Sequence, residues 1–297
     1  MRWRAVFVFA WYLAEMIRRH VGSEWWLVTQ HDHALLAGEL ARHVGGAILP
    51  LAQETIQGIA QHDAGWQQHD SAPTLNDRGQ PLDVFESPLS LGLKMWRRSS
   101  QLATTIGDYP ALLVSLHSLS LSAHAAAKAL PGKPTTIPEL RLQFDLNKFQ
   151  HAEVELQENC RRNLGMRLDI PLTLGLAHDS MDPAEQQLLF DSRWLSAMDQ
   201  LSLDLCCTHA PFAALSHLTA HPGGPDLQLM VSRTGLATLC VSPWPFTTPW
   251  LDVSVPFRRI PDRSYLSREQ FLEDFNTAPV EAMHLRLDPP GPLAAAG

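Results

Sequence analysis

The spacing of apolar residues changes once along this chain, near residue 211, and that change sets the expected fold. Before it, helical spacing dominates. In Gln30–Val44, Leu36, Leu40 and Val44 stand at i, i+4 and i+8, with His33, Ala37 and Ala41 on the neighbouring row. Gly45-Gly46 stops that helix. Further helices are expected at about Ala52–His62, 89–106, Pro110–Ala129, 141–164 and Pro183–Cys207, the last capped by Asp182. After residue 211 the apolar runs are short. Leu227–Val231, Ala237–Val241, Trp250–Phe257 and Ala282–Leu287 read as strands, with one helix at about 267–276 that Ser267 caps. One earlier strand, Glu24–Thr29, precedes the helices. Three stretches break the pattern: a long loop over 64–90, Pro131–Pro138, and turn-rich Pro171–Asp182.

The expected architecture is mainly α (α+β). A helical domain spans 20–210, a small β-rich section over 211–288 packs on it, and 289–297 is a tail. The strand near Trp25 is placed to pair with the late strands. Residues 1–19 read as an N-terminal extension. Its apolar stretch 5–14 follows Arg2 and Arg4 but is too short to span a bilayer, which needs about 20 residues. A short docked helix, a weak membrane contact, or a start codon set upstream of Met16 each account for it.

With 45% hydrophobic and 18% charged residues among 297, the chain can bury a sizeable core. A net charge of -8 argues against a broadly basic nucleic-acid binder. The four cysteines, Cys160, Cys206, Cys207 and Cys240, form no C-x-x-C pair; they read as reduced, mostly buried thiols of a cytoplasmic protein. Gly-rich nucleotide loops, G-x-S-x-G and HExxH are absent.

Fourteen histidines are the chemical signal, because neutral imidazole is the commonest metal ligand. His33 shares the apolar face of its helix, whereas His31 lies about 200° away around the axis and points elsewhere. His62-Asp63 closes a helix. Two adjacent side chains reach one ion if the backbone leaves the helix there, as Gly65 permits. His117 and His124 stand seven residues apart on one helix face. Asp199 sits within an apolar helix, where a carboxylate needs a cation or hydrogen-bond donors. A hydrogen-bonded polar core would satisfy the same residues. Trp66 and Asp70 in the long loop read as a pocket rim, with ordinary core as the alternative for Trp66. The pairs Arg97-Arg98 and Arg161-Arg162 read as solvated helix faces.

A His on one helix, a His-Asp pair on a later one and a distal Asp on the last resembles the HD superfamily of metal-dependent phosphohydrolases. The stretches TQHDHALLAGELA, IAQHDAGW, ALLVSLH, MDQLSLDLC, SPWPF and SVPFRRIPDRSY are more similar still to an uncharacterised bacterial family known only as a domain of unknown function, from about Trp25 to Leu287. The resemblance implies an HD-like helical bundle. It implies metal at His33, His62, Asp63 and Asp199, with Asp63 and His117 in catalysis. His117 would complete one ion, hold a second, or orient phosphate. The ion would be Mn²⁺, Fe²⁺, Zn²⁺ or Mg²⁺, and the ligand a small phosphate ester or nucleotide. A non-catalytic HD-like module binding a small ligand or a protein is the alternative. The chain departs from the pattern in its long Asp63–Asp199 separation, in lacking a second His-His pair after His117, and in having no Lys or Arg beside His62-Asp63. Arg97, Arg98, Arg161, Arg162 and Arg193 would approach only through the fold.

Overall fold

A computed structural model describes residues 16–83, 85–168, 181–207 and 212–291. The expectations for residues 1–15, for most of the 171–182 turns and for the end of the tail lie outside the described residues.

Two strands come first, β1 (Ile17–Val21) and β2 (Glu24–Val28). Helices α1 (Gln30–Arg42) and α2 (Gln53–Gln61) follow, then a 3-10 turn (Ala64–Trp66) leading into α3 (Gln67–Asp70). Next come α4 (Leu89–Ala103), α5 (Asp108–Ala129), α6 (Ile137–Asn163) and α7 (Pro183–Cys206). The rest is β3 (Phe212–Thr219), β4 (Asp226–Gly235), β5 (Thr238–Ser242), β6 (Leu251–Pro261), α8 (Arg268–Thr277) and β7 (Val280–Asp288).

All seven strands form one sheet in the order β1-β2-β6-β7-β5-β4-β3. Pairing is antiparallel except between β5 and β7. β2 lies against β6, so the segments before and after the helices share the sheet. The fold is therefore mixed α/β. The expectation of a mainly helical bundle with a small C-terminal β section is corrected: the sheet is a full layer, and an all-α description does not apply.

The missed strands have identifiable causes. In β1, Ile17 and Arg19 face inward and Arg18 and His20 outward; an arginine at a core position hides the period of two. In β3, the register shifts between Leu215 and Leu218, where His217 takes a φ of 62°, which breaks the alternation. β6 alternates as expected but runs on through Arg258 and Arg259 to Pro261. Among the helices, α6 begins earlier than expected. Thr136 and Glu139 form a capping box, and Pro138 occupies the first turn, where its missing N–H costs nothing.

One apolar core joins helices to sheet, with Leu36, Leu40, Trp194 and Leu201 meeting Val255, Phe257, Leu285 and Leu287. α5 runs through its middle, and every residue from Pro110 to Ser118 is buried. Consecutive strand residues face opposite sides. Val28 joins this core, while Leu27 joins Met16, Ile260, Phe271 and Phe275 under α8. Among the described residues, no helix is long and apolar enough to cross a membrane.

β1 is an outer strand, and the chain around Asp83 lies along it. The Met16 N–H donates to Leu82 O, and Asp83 accepts from the N–H groups of Arg18 at 3.2 Å and Phe85 at 3.0 Å. Burial pushes the Asp83 carboxyl up to about 6, against the pull of those donors and the Arg18 guanidinium. The folded state therefore holds this proton more tightly than the unfolded chain, whose carboxyl titrates near 3.8. Stability from this group is present at acid pH and falls as pH rises from about 4 to about 6. Relative to Asp83→Asn, the wild type is expected to lose about 2 kcal/mol between pH 4 and pH 7 in urea denaturation. A pH-independent difference would count against this reading.

Candidate metal centre

Four helices meet around five polar side chains. Thr29 caps α1 by accepting from the Asp32 N–H at 2.9 Å, and one turn on His33 enters the interior. α2 ends at His62, and Asp63 leaves the helix at φ −117°, ψ 21°. That bend lets two adjacent side chains face the same space. Gly65 contributes by its size, since a Cβ there would lie 2.2 Å from Met95 O on α4. It is the close approach of two backbones, rather than the conformational freedom of glycine, that the position requires. α5 supplies His117 and α7 supplies Asp199.

The five side chains are almost fully buried, from 1% exposed for His33 and His62 to 5% for Asp63. His33 Nε2 lies 3.2 Å from Asp63 Oδ2, and its Nδ1 lies 3.0 Å from Ser202 Oγ. His62 Nε2 lies 3.3 Å from Asp199 Oδ1 and 3.8 Å from Asp63 Oδ2. His117 Nε2 lies 3.4 Å from Asp199 Oδ2. The His62 ring stands edge-on to both His33 and His117, with centroids 5.1 and 5.2 Å away. Ligand atoms of His33, His62 and Asp63 lie within 4.8 Å of one another, as do those of His62, His117 and Asp199. Both groups could hold a metal ion.

The donors suit a cation. His62 Nδ1 is 2.7 Å from Ile59 O, an acceptor, so it carries the proton and donates. In the neutral ring the lone pair is then on Nε2, which faces two carboxylates and makes no hydrogen bond. Asp63 Oδ1 is likewise buried without a hydrogen-bond partner. A lone pair opposite carboxylate oxygens is repulsive unless a proton or a metal ion stands between them. The electrostatics agree. Burial alone would lower the His62 imidazole, but Asp63 and Asp199 outweigh it and push it up to about 9. Burial would raise Asp199, but the His117 and His62 imidazoles beside it hold it well below the usual carboxylate range. The two carboxylates beside the His62 ring favour a positive charge in this space, carried by a proton or by a metal ion.

Ser202, one turn beyond Asp199, was not singled out in the sequence. It donates to Asp199 O at 2.8 Å and meets His33 Nδ1; its i+3 spacing from Asp199 was the available signal. Other candidates lie elsewhere. His31 is half-buried, and its N–H donates to Asp70 Oδ2 at 3.1 Å, so Asp70 ties α3 to the start of α1. Trp66 is fully buried core. His43 contacts Glu39, His69 stands edge-on to Trp66, and His124 contacts Ser120 O. Arg97 pairs with Glu153, Arg98 with Gln68, Arg162 with Asn159 and Arg193 with Asp226. Arg161 is buried 3.9 Å from Glu185, so its solvated-face reading is corrected. Among the described residues, the ion pairs of Asp63 and Asp199 are with histidines.

These features define an α/β protein with a buried His/Asp centre that could hold a metal ion. Its residues 16–262 match the family described as protein of unknown function (DUF3891), and the chain belongs to that family. No curated protein and no solved structure matches it significantly.

Proposed function

We propose that the protein is a divalent-metal-dependent phosphohydrolase of HD type, acting on a small phosphate ester or nucleotide. The observation that carries this reading is the convergence of five N and O donors from four helices, with the bare Nε2 of His62 facing two carboxylates. His33, His62, Asp63 and Asp199 would hold the ion. The two imidazoles in this set favour Mn²⁺, Fe²⁺ or Zn²⁺ over Mg²⁺, which prefers oxygen ligands. A cation there would lower the pKa of a bound water and polarise a phosphoryl oxygen. Ile59 O and Ser202 hold the His62 and His33 rings in place. Asp63 would take part in catalysis, and His117, whose Nε2 lies 3.4 Å from Asp199 Oδ2, would assist with the phosphate or a second ion.

One observation favours a second reading. Each of the five side chains is at most 5% exposed, which suits a closed centre in a non-catalytic binding module. Elemental analysis of the purified protein, with a panel of phosphate esters, separates these readings. A stoichiometric divalent metal and metal-dependent turnover are expected. Metal without turnover favours the binding module, and no metal with no affinity on titration sinks the phosphohydrolase reading.

A further inference from the structure

A cavity of about 450 Å³ lies between the first turn of α1, α3 and the β6–α8–β7 unit. Its size falls within the range that holds small organic ligands. One wall is polar, formed by His31 and Asp32 on α1 and Asp70 on α3. Asp70 is only 5% exposed; its Oδ2 accepts from the His31 N–H, while its Oδ1 has no hydrogen-bond partner. His31 Nδ1 also lacks one. A buried acceptor left unsatisfied is costly, so this wall calls for donors from outside. The facing wall is apolar, with Phe257, Phe275 and Val280. Arg258 lines the cavity as well, but its guanidinium lies over Phe275 and donates to Ala278 O.

Carboxylate acceptors opposite aromatic and aliphatic surface fit a polyhydroxylated ring. Hydroxyls donate to the acids, and the C–H face lies on the apolar wall. The two acids disfavour a phosphate at this wall. The segments that line the cavity also lead to the centre: His31 and Asp32 immediately precede His33, and α3 follows Asp63 through the 3-10 turn. We infer that this cavity binds the polyol part of the substrate, the sugar of a sugar phosphate or the ribose of a nucleotide, with Asp70 accepting its hydroxyls. The inference rests on the phosphohydrolase reading and names its substrate class.

The test is calorimetric binding to the full chain loaded with Mn²⁺. The probes are non-hydrolysable phosphonate analogues of ribose 5-phosphate and AMP, with methylphosphonate as the control that lacks a polyol. At least one analogue is expected to bind about tenfold or more tightly than methylphosphonate, the gain from one or two hydrogen bonds to the Asp70 carboxyl. A tighter AMP analogue identifies a nucleotide; an equal or tighter ribose analogue identifies a sugar phosphate. Asp70→Asn and Val280→Trp should each weaken that binding about tenfold without changing Mn²⁺ content. Val280 is 61% exposed, so the larger side chain fills the cavity without displacing core, and it decides the matter if Asp70→Asn loosens α1. Analogues no tighter than methylphosphonate, or full affinity in Val280→Trp, overturn the inference. Phosphate-ester turnover without polyol binding removes the cavity reading alone. Polyol binding lost in Val280→Trp, with no turnover of any ester, removes the hydrolase reading and retains the cavity.

Discussion

On the proposed phosphohydrolase reading, Asp63→Ala is expected to remove metal binding at the centre and abolish phosphate-ester turnover while leaving the fold intact. Asp63 contributes one of two carboxylates, and its Oδ2 is the partner of His33 Nε2 at 3.2 Å. Its loss removes a ligand and leaves a second ligand unheld. Asp63 stands where the backbone has already left α2, so the change spares the helix and the apolar core. Ser202→Ala provides the graded comparison. It removes only an orienting contact to His33, and losses of that kind cost roughly 10–100-fold in metal affinity or activity. Asp63→Ala should exceed that range. Elemental analysis, turnover and far-UV circular dichroism on both variants and on the isosteric Asp63→Asn check this. Full metal content in Asp63→Ala with native dichroism would remove Asp63 from the ligand set.

Arg19→Ala is expected to destabilise the protein by about 3–5 kcal/mol, the largest effect outside the centre. Arg19 is 1% exposed in β1. Its guanidinium donates to Leu205 O at 3.3 Å and to Leu236 O, and touches Met283 Sδ at 3.3 Å. Arg233 donates to Asp204 O and Cys207 O nearby. Two cations thus satisfy carbonyls at the end of α7, where the helix dipole places negative charge. Truncation leaves buried carbonyls unpaired and opens a cavity between α7 and the sheet. Arg19→Met restores much of the volume but not the donors, and should lose less. Urea denaturation with near-wild-type stability for Arg19→Ala would show that the α7 end is satisfied without it.

The same residue shows why part of the fold was hidden. Arg19 occupies a core-facing position, so Ile17–Val21 does not alternate apolar and polar, and the segment reads as an extension. β3 was hidden differently, by a register shift at His217. The centre was more legible. His33 lies on the apolar row of α1, His117 within a continuously buried stretch of α5, and Asp199 among the apolar residues of α7. A polar side chain on an apolar helical face must find a partner inside, and these find one another. Gly65 shows the limit of that reasoning. Its presence was noted, but the need for it lies in the backbone of α4, distant in sequence.

The sequence by itself determined most of the long helices, the caps at Asp182 and Ser267 and the inward facing of His33, because those follow from spacing within a few turns and from side chains three or four positions apart. Only the tertiary structure decided that strands from both sides of the helical region share one sheet, that Arg19 closes the end of α7, and that a cavity opens beside α1. Strand pairing and burial depend on segments far apart in the chain, and no local period records which segments will meet.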